Sequence, residues 1–382
     1  MHNKNGPRIT LVDSTLRDGA QAPGVVLSYA HRAEIARLLF GIGITEIEAG
    51  NPAMRGEEIN FLSSMNELFP RHRIIAWCRA MDADLQDAHR ARCRNVHIAF
   101  PVSDIQLDAM EKDRRWLFCT LERIIYIAIR RFEFVSVGAM DASRANEGIL
   151  EHFCKTAFVA GARRVRIADT VGILTPHKTT LLFDKLAKVV DVEKLEFHGH
   201  NDLGMATANA LSAAEAGAGA LSVTVNGMGE RAGNTALEEI VMALKMNRTP
   251  MQRLRLSKIQ QLCDRVSFFS SQAIPVSKPI IGKAVFLHES GIHWNALLKD
   301  MRSFEPFSPS ITGHAASTPV AGSHSGAATI LALMARKGMR FSRRGPRKVA
   351  GIVRKRVQKL GRVLTVKEVE RICGKYSRIV KR

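Results

Sequence analysis

No CxxC pair and no regular cysteine spacing occur in this 382-residue chain. Its six cysteines, Cys78, Cys93, Cys119, Cys154, Cys263 and Cys373, are scattered, which argues against a zinc ribbon or a disulfide framework and points to reduced thiols in a cytoplasm. No run approaches the ~20 apolar residues of a membrane span, and the opening MHNKNGPRITLVD lacks the apolar core of a signal peptide. A soluble, cytoplasmic protein without a membrane partner is expected. Aromatic residues are scarce at 6%, too few for a platform that stacks single-stranded bases. Acidic residues are outnumbered, 36 against 56 Lys plus Arg, a net charge of +20. Such a field favours anionic partners. The basic residues read as widely spread, so small anionic substrates or a host with a basic proteome explain the charge at least as well, and specific nucleic-acid binding is not expected.

Hydrophobic residues at 46% and charged ones at 24% suffice for a sizeable core. The length fits a barrel of about 250 residues with a smaller attachment. Short β-rich runs recur with helical stretches between them: ITLVD (9–13), ITEIEAG (44–50), RIIAWCRA (73–80), NVHIAF (95–100), FEFVSVG (132–138), RRVRIAD (163–169), LEFHGH (195–200) and ALSVTVNG (220–227). YAHRAEIARLLFGIG and MATANALSAAEAGAGA carry helical spacing between strands. Eight such strands predict an α/β fold: a (β/α)8 TIM barrel over residues 1–270, then a smaller, mainly helical C-terminal lid or subdomain over 271–382.

In a barrel of this kind the working groups stand at the C-terminal strand ends. There the sequence places Asp13, Arg17, Asp18 and Gln21 after the first strand, Glu48 and Asn51 after the second, and Arg79 after the third. Ser103 and Asp104 follow the fourth, Asp141, Ser143 and Arg144 the fifth, and Asp169 and Thr170 the sixth. His198, His200, Asn201 and Asp202 follow the seventh, and Asn226, Glu230, Arg231 and Asn234 the eighth. One mouth would collect them all.

HGHND (198–202) is the densest of these clusters. Strand residues two apart share a face, so the imidazoles of His198 and His200 should project side by side. With the Asp18 carboxylate they would make a mixed oxygen and nitrogen site for a divalent ion acting as a Lewis acid. Arg17, its neighbour, would then stabilise negative charge on the substrate oxygen. Two hydrogen-bonded core histidines are the bland alternative; a shared carboxylate at a barrel mouth favours the chelating one.

The strings DSTLRDGAQAPG, EIEAGNPAM, AWCRA, DASRA, ADTVG, HGHNDLGMATANA, VNGMGERAGNTALEE, GKAVFLHESGIH and SHSG occur in this order from about Ile9 to Gly326. In them the chain resembles the DRE-TIM metallolyase family, and within it the homocitrate synthases of the nitrogen-fixation type, related to 2-isopropylmalate synthases. The resemblance implies condensation of acetyl-CoA, as cosubstrate, with 2-oxoglutarate, then thioester hydrolysis to homocitrate and CoA. In a nitrogen-fixing host the product would serve the nitrogenase cofactor. It implies Asp18, His198 and His200 as ligands of Mg2+, Mn2+ or Zn2+, with Asn234 near or on the metal. It gives Arg17 the keto oxygen, Gln21 and Thr170 the 2-oxo acid, and His293 the proton of the acetyl-CoA methyl group. Glu48, Arg79, Ser143 and Arg144 join the substrate-binding candidates, and a homodimer is implied.

His288, Glu289 and His293 follow the barrel, and the two histidines, five apart, need not share a face. Where the family carries Glu before the fifth-strand Asp, this chain has Met140, and a thioether cannot hold an imidazolium. Glu289 or a water would then support the base. Position 20 is Ala, and GNPAM and GSHSG depart from the common GIPAM and GKHSG. These departures leave open other acceptors with the same chemistry (2-isopropylmalate, citramalate or Re-type citrate synthase) and a catalytically impaired binding relative.

Overall fold

The computed structural model describes residues 8–335 and 339–379. Eight parallel strands close a barrel in sequence order: β1 (Thr10–Asp13), β2 (Glu46–Gly50), β3 (Arg73–Arg79), β4 (Asn95–Pro101), β5 (Phe134–Met140), β6 (Arg164–Asp169), β7 (Leu195–Gly199) and β8 (Ala220–Val223). β8 pairs back onto β1, Thr10 opposite Ala220. All eight expected strands are present, and the (β/α)8 expectation holds. Two C-terminal ends shift by two residues or more. β5 runs two residues further, because its ladder with β4 continues to Pro101 opposite Met140. β8 stops early, where Thr224 leaves the sheet to bridge to Ala236 and Asn226 takes a left-handed φ of 61°.

The helices between strands follow from apolar spacing and caps. In α1 (Tyr29–Ile42), Ile35, Ala36, Leu39 and Ile42 are buried along one face; Ser28 caps the start by accepting from His31 N, and Gly43 ends it at φ 108°. The others that matter to the site are α2 (Glu57–Leu68), α3 (Asp82–Arg90), α4 (Asp104–Ala109) and α5 (Arg114–Ala128), all before β5.

The barrel interior is charged rather than aliphatic. Glu46 and Glu48 on β2, Arg164 and Arg166 on β6, and Glu196 on β7 sit at alternate strand positions and therefore face inward. They form one chain of ion pairs. Arg73 and Arg164 meet Glu46, the latter at 2.8 Å; Arg164 and Arg166 meet Glu196 at 3.4 and 2.6 Å; Arg166 and Arg17 meet Glu48, each at 2.6 Å. Val12, Ile75 and Ala220 supply a small apolar cluster. Buried charges are tolerable only when paired, and here each carboxylate meets two guanidinium groups.

The chain divides into two compact units: residues up to Arg255 with Gln261–Ala273, and Leu256–Gln260 with Ile274 onward. The second unit is mainly helical, with α6 (Gly291–Leu297), α7 (Ala327–Ala335), α8 (Gly345–Leu360) and α9 (Val366–Cys373). Ile330, Leu333, Met334, Val349, Val353 and Val369 lead its core. α8 buries Val349, Ala350, Val353 and Val357, a helical spacing, and turns Arg347, Lys348, Lys355, Arg356 and Lys359 to solvent. The charge is thus not spread as expected: residues 336–382 hold 18 Lys plus Arg against two Glu, 18 − 2 = +16 of the net +20. No helix among the described residues is long and apolar enough to cross a membrane.

Candidate functional site

After β1 the chain turns tightly, Arg17 N and Gly19 N both donating to Ser14 O, which sets Arg17 and Asp18 at the barrel mouth. β7 carries His198 to the rim. His200 lies just past the strand end, bridged to Asn234. Asp18 Oδ2 is 3.2 Å from His198 Nε2 and 4.0 Å from His200 Nε2, and the two Nε2 atoms are 3.3 Å apart. All three residues are buried. The rings stand at 89° to each other rather than side by side. β7 ends at Gly199, so His200 no longer follows the pleat, and the nitrogens converge on a point.

This donor set fits a divalent ion. Ligand atoms about 2.1 Å from one ion, at roughly right angles, stand about 3 Å apart. Asp18 Oδ2 and Asn234 Oδ1 are buried and accept no hydrogen bond among the described residues, although Asn234 Nδ2 donates to Met228 O at 2.9 Å. Burial works against an ionised Asp18, but Arg17, with Nη1 3.4 Å from Oδ1, and the two imidazoles hold its carboxyl well below the usual range. Burial, then His198, pulls His200 down to about 4, so its imidazole is neutral near pH 7 with a lone pair to give. His198 Nδ1 lies 2.9 Å from Ser222 Oγ, which orients the ring. Asp18, His198 and His200 could therefore hold a divalent ion, with Asn234 Oδ1 as a further candidate donor.

Glu48 is not where a substrate contact requires. It is fully buried, with Oε2 accepting from Arg17 Nη2, Arg17 Nε and Ser14 Oγ at 2.6, 2.9 and 2.7 Å, and Oε1 paired with Arg166. Burial opposes its charge, and Arg166 and Arg17 restore it, holding the carboxyl well below its ordinary range. Its place is behind Arg17, fixing the guanidinium.

A cavity of about 190 Å³ opens on the donor set and Arg17; Gln21, Thr170, Arg231, Trp77, His97 and Met140 also line it. Thr170 Oγ1 accepts from Asp141 N at 2.8 Å, which leaves its O–H to donate. Arg231 is tied to Asp202 at 2.8 Å and to Thr170 O at 2.8 Å. Three expected substrate contacts are not among the residues that line it. Arg79 turns to Asp84, with Nη2–Oδ1 2.9 Å. Arg144 folds back on the buried Asp141 at 2.8 Å, and Ser143 lines a separate cleft with Leu150 and Lys178. In the second unit, Glu289 accepts from His324 N at 2.7 Å and Ser323 Oγ at 3.3 Å, while the His293 ring stacks on Phe304 at 4.1 Å. Glu289 and His293 do not pair, so the suggested support of the base by Glu289 is not made.

His97 and Arg166 were missed, although both line the cavity. His97 Nδ1 meets Ser136 Oγ at 2.9 Å, and burial with Arg166 nearby pushes its pKa well below normal, so the ring is neutral. A Cβ on Gly138 would come 2.6 Å from His97 Nε2, so the glycine makes room for that ring edge. The signal lay in NVHIAF and RVRIAD, whose charged or polar residues alternate with aliphatic ones and so face the barrel axis.

Fold and site define a (β/α)8 barrel enzyme with a buried Asp–His–His donor set able to chelate a divalent ion at its mouth. The HMGL-like family profile matches residues 8–266, and one described as homocitrate synthase post-HMGL domain-like matches 280–361. The chain belongs to the HMGL-like family, the DRE-TIM group expected from its motifs. It is 40% identical to 2-isopropylmalate synthase 2 of Caldanaerobacter subterraneus subsp. tengcongensis, over 86% of this chain and 85% of that one. It is 37% identical to homocitrate synthase 1 of Nostoc sp., over 95% and 96%, and 36% identical to 2-phosphonomethylmalate synthase of Streptomyces rubellomurinus, over 87% and 88%. Among solved structures, HMG-CoA lyase from Pseudomonas aeruginosa aligns with a TM-score of 0.64 at 16% identity, over 71% of this chain and 96% of that one, a likeness of fold. The chain is thus an enzyme of the transferase-type synthases, whose named relatives make three different products.

Proposed function

We propose that this chain condenses acetyl-CoA with a 2-oxo acid in a divalent-metal-dependent reaction and hydrolyses the thioester, with 2-oxoglutarate as acceptor and homocitrate as product. The observation that carries it is the convergence of Asp18 Oδ2, His198 Nε2 and His200 Nε2 beside Arg17. The acceptor reading is supported by the post-HMGL match and by the Nostoc relative, which is covered at 96% of its length.

Asp18, His198 and His200 would hold the divalent ion, which would supply Lewis-acid polarisation of the keto group. Arg17, fixed by Glu48, presents Nη1 to the same oxygen and stabilises its charge as the carbonyl becomes an alkoxide. Thr170 O–H donates to the acceptor carboxylate, and Gln21 closes that end. His293 is the candidate base: it takes a proton from the acetyl methyl group, the new C–C bond forms to the keto carbon, and the alkoxide is protonated. Water then cleaves the thioester and CoA leaves as the thiol. A thiol-release assay with acetyl-CoA and a panel of 2-oxo acids, with and without Mg2+ or Mn2+, tests this. Metal-dependent release highest with 2-oxoglutarate is expected; a preference for 2-oxoisovalerate, pyruvate or oxaloacetate changes the acceptor, and no release with any acid removes the enzyme reading.

A further inference from the structure

A second, larger cavity adjoins the first on the side of β3, β4 and β5. Its volume is about 660 Å³, within the ~300–1,000 Å³ of small-molecule sites, whereas the 190 Å³ of the first falls below it. Trp77, Ala99 and Met140 line both cavities, so these three residues are the wall between them. Nothing in that wall is charged. Ala99 offers no bulk, and Met140, unbranched and adaptable, stands where the family carries glutamate.

The far cavity is largely apolar. Met81, Met110 and Trp116 face it together with the shared wall. Of the cations that line it, Arg79 is neutralised by Asp84 at 2.9 Å and Arg123 by Asp82 at 2.7 Å, while Lys112 Nζ rests 5.8 Å from the Trp116 ring centroid. A carboxylate would find its arginines already engaged; a hydrocarbon tail would find two indoles and methionines.

Direction follows from the donor set. Asp18 comes from the β1 end and the histidines from β7, while Trp77, His97, Ala99, Gly138 and Met140, from β3 to β5, also line the small cavity. An acceptor whose carboxylate and keto oxygens engage Arg17 and the donor set sends its chain to that wall.

We infer that the enzyme also takes 2-oxo acids with an unbranched apolar chain longer than that of 2-oxoglutarate, the tail entering the cavity between Trp77 and Trp116 past Met140. This rests on the proposed function for the head-group end. Carbon–carbon bond formation, proton transfer and thiol release balance as they do for 2-oxoglutarate, since only the spectator chain differs.

Two of the chain's three tryptophans line the far cavity, so binding is readable without turnover. The full chain with Mg2+ is titrated, by intrinsic fluorescence, with pyruvate, 2-oxobutyrate, 2-oxohexanoate, 2-oxooctanoate and octanoate. From 2-oxohexanoate upward, Kd should fall about three- to fourfold per methylene, the gain of burying one CH2, with octanoate at least tenfold weaker than 2-oxooctanoate. Ala83→Trp, at an exposed position of α3 that lines the cavity, should raise the 2-oxooctanoate Kd at least tenfold and leave that of pyruvate within twofold; Met81→Trp repeats the test if that variant does not fold. A Kd independent of chain length overturns the inference. So does an Ala83→Trp effect that falls on acetyl-CoA binding, which would give the cavity to the thioester arm. Thiol release with 2-oxoglutarate alongside flat chain-length dependence sinks this inference alone, whereas chain-length-dependent binding without thiol release for any acid sinks the catalytic reading alone.

Discussion

Glu48 grips Arg17 from behind, with two guanidinium N–H groups on one carboxylate oxygen at 2.6 and 2.9 Å. The guanidinium therefore cannot swing away from Asp18, and the charge that faces the substrate is set by a residue the substrate never meets. Arg17→Lys keeps the charge but loses the fork. Thiol release should drop by about two to three orders of magnitude, the usual loss for one donor to a developing oxyanion, with the melting temperature nearly unchanged. An unaltered rate would remove Arg17 from the chemistry.

Glu48→Gln acts on the other member of the pair. Removing one partner of a buried ion pair costs about 3–5 kcal/mol, here because Arg17 and Arg166 would share a neutral amide. A large fall in urea midpoint is expected together with loss of activity. A variant as stable as the parent would show that the interior ladder is not held by this carboxylate.

His200→Ala should abolish metal-dependent turnover and weaken Mn2+ binding, measured by equilibrium dialysis, at least a hundredfold, with the circular dichroism spectrum retained. His200 touches the barrel only at its rim, so its loss spares the core. Unchanged Mn2+ affinity would take His200 out of the donor set.

Asp13 gives a pH signature. Burial pushes its pKa up from 3.8 to about 7. The folded chain thus keeps a proton that the unfolded chain loses, and stability from this group is full below about pH 4 and declines as pH rises to about 7. Asp13→Asn removes the titration. Relative to the parent it should gain about 2–3 kcal/mol between pH 5 and pH 8, read from urea unfolding at both pH values. Parallel stabilities at the two pH values would mean that Asp13 is already ionised in the fold.

The barrel was legible because each strand is a short apolar run between turn signals, and because HxH at a strand end with RD at another has few structural uses. What the sequence hid depends on partners distant along the chain. Glu48 reads as a mouth residue, yet the inward register of β2 sets it against Arg166 of β6 and makes it a support. Arg79 and Arg144 stand at the expected strand ends but are claimed by nearby groups, Arg79 by Asp84 and Arg144 by Asp141, and Ser143 lines a separate cleft. The perpendicular imidazoles required knowing that β7 stops at Gly199. The wall between the two cavities, Trp77, Ala99 and Met140, joins three strands, and neither AWCRA nor the departure at Met140 tells that these side chains meet.

The most direct measurement is the anomalous scattering of crystals soaked in Mn2+. One strong peak is expected, about 2.0–2.3 Å from Asp18 Oδ2, His198 Nε2 and His200 Nε2 together. A fully soaked crystal with no peak among those three atoms, or with its peak at another cluster, would contradict the metal-dependent condensation.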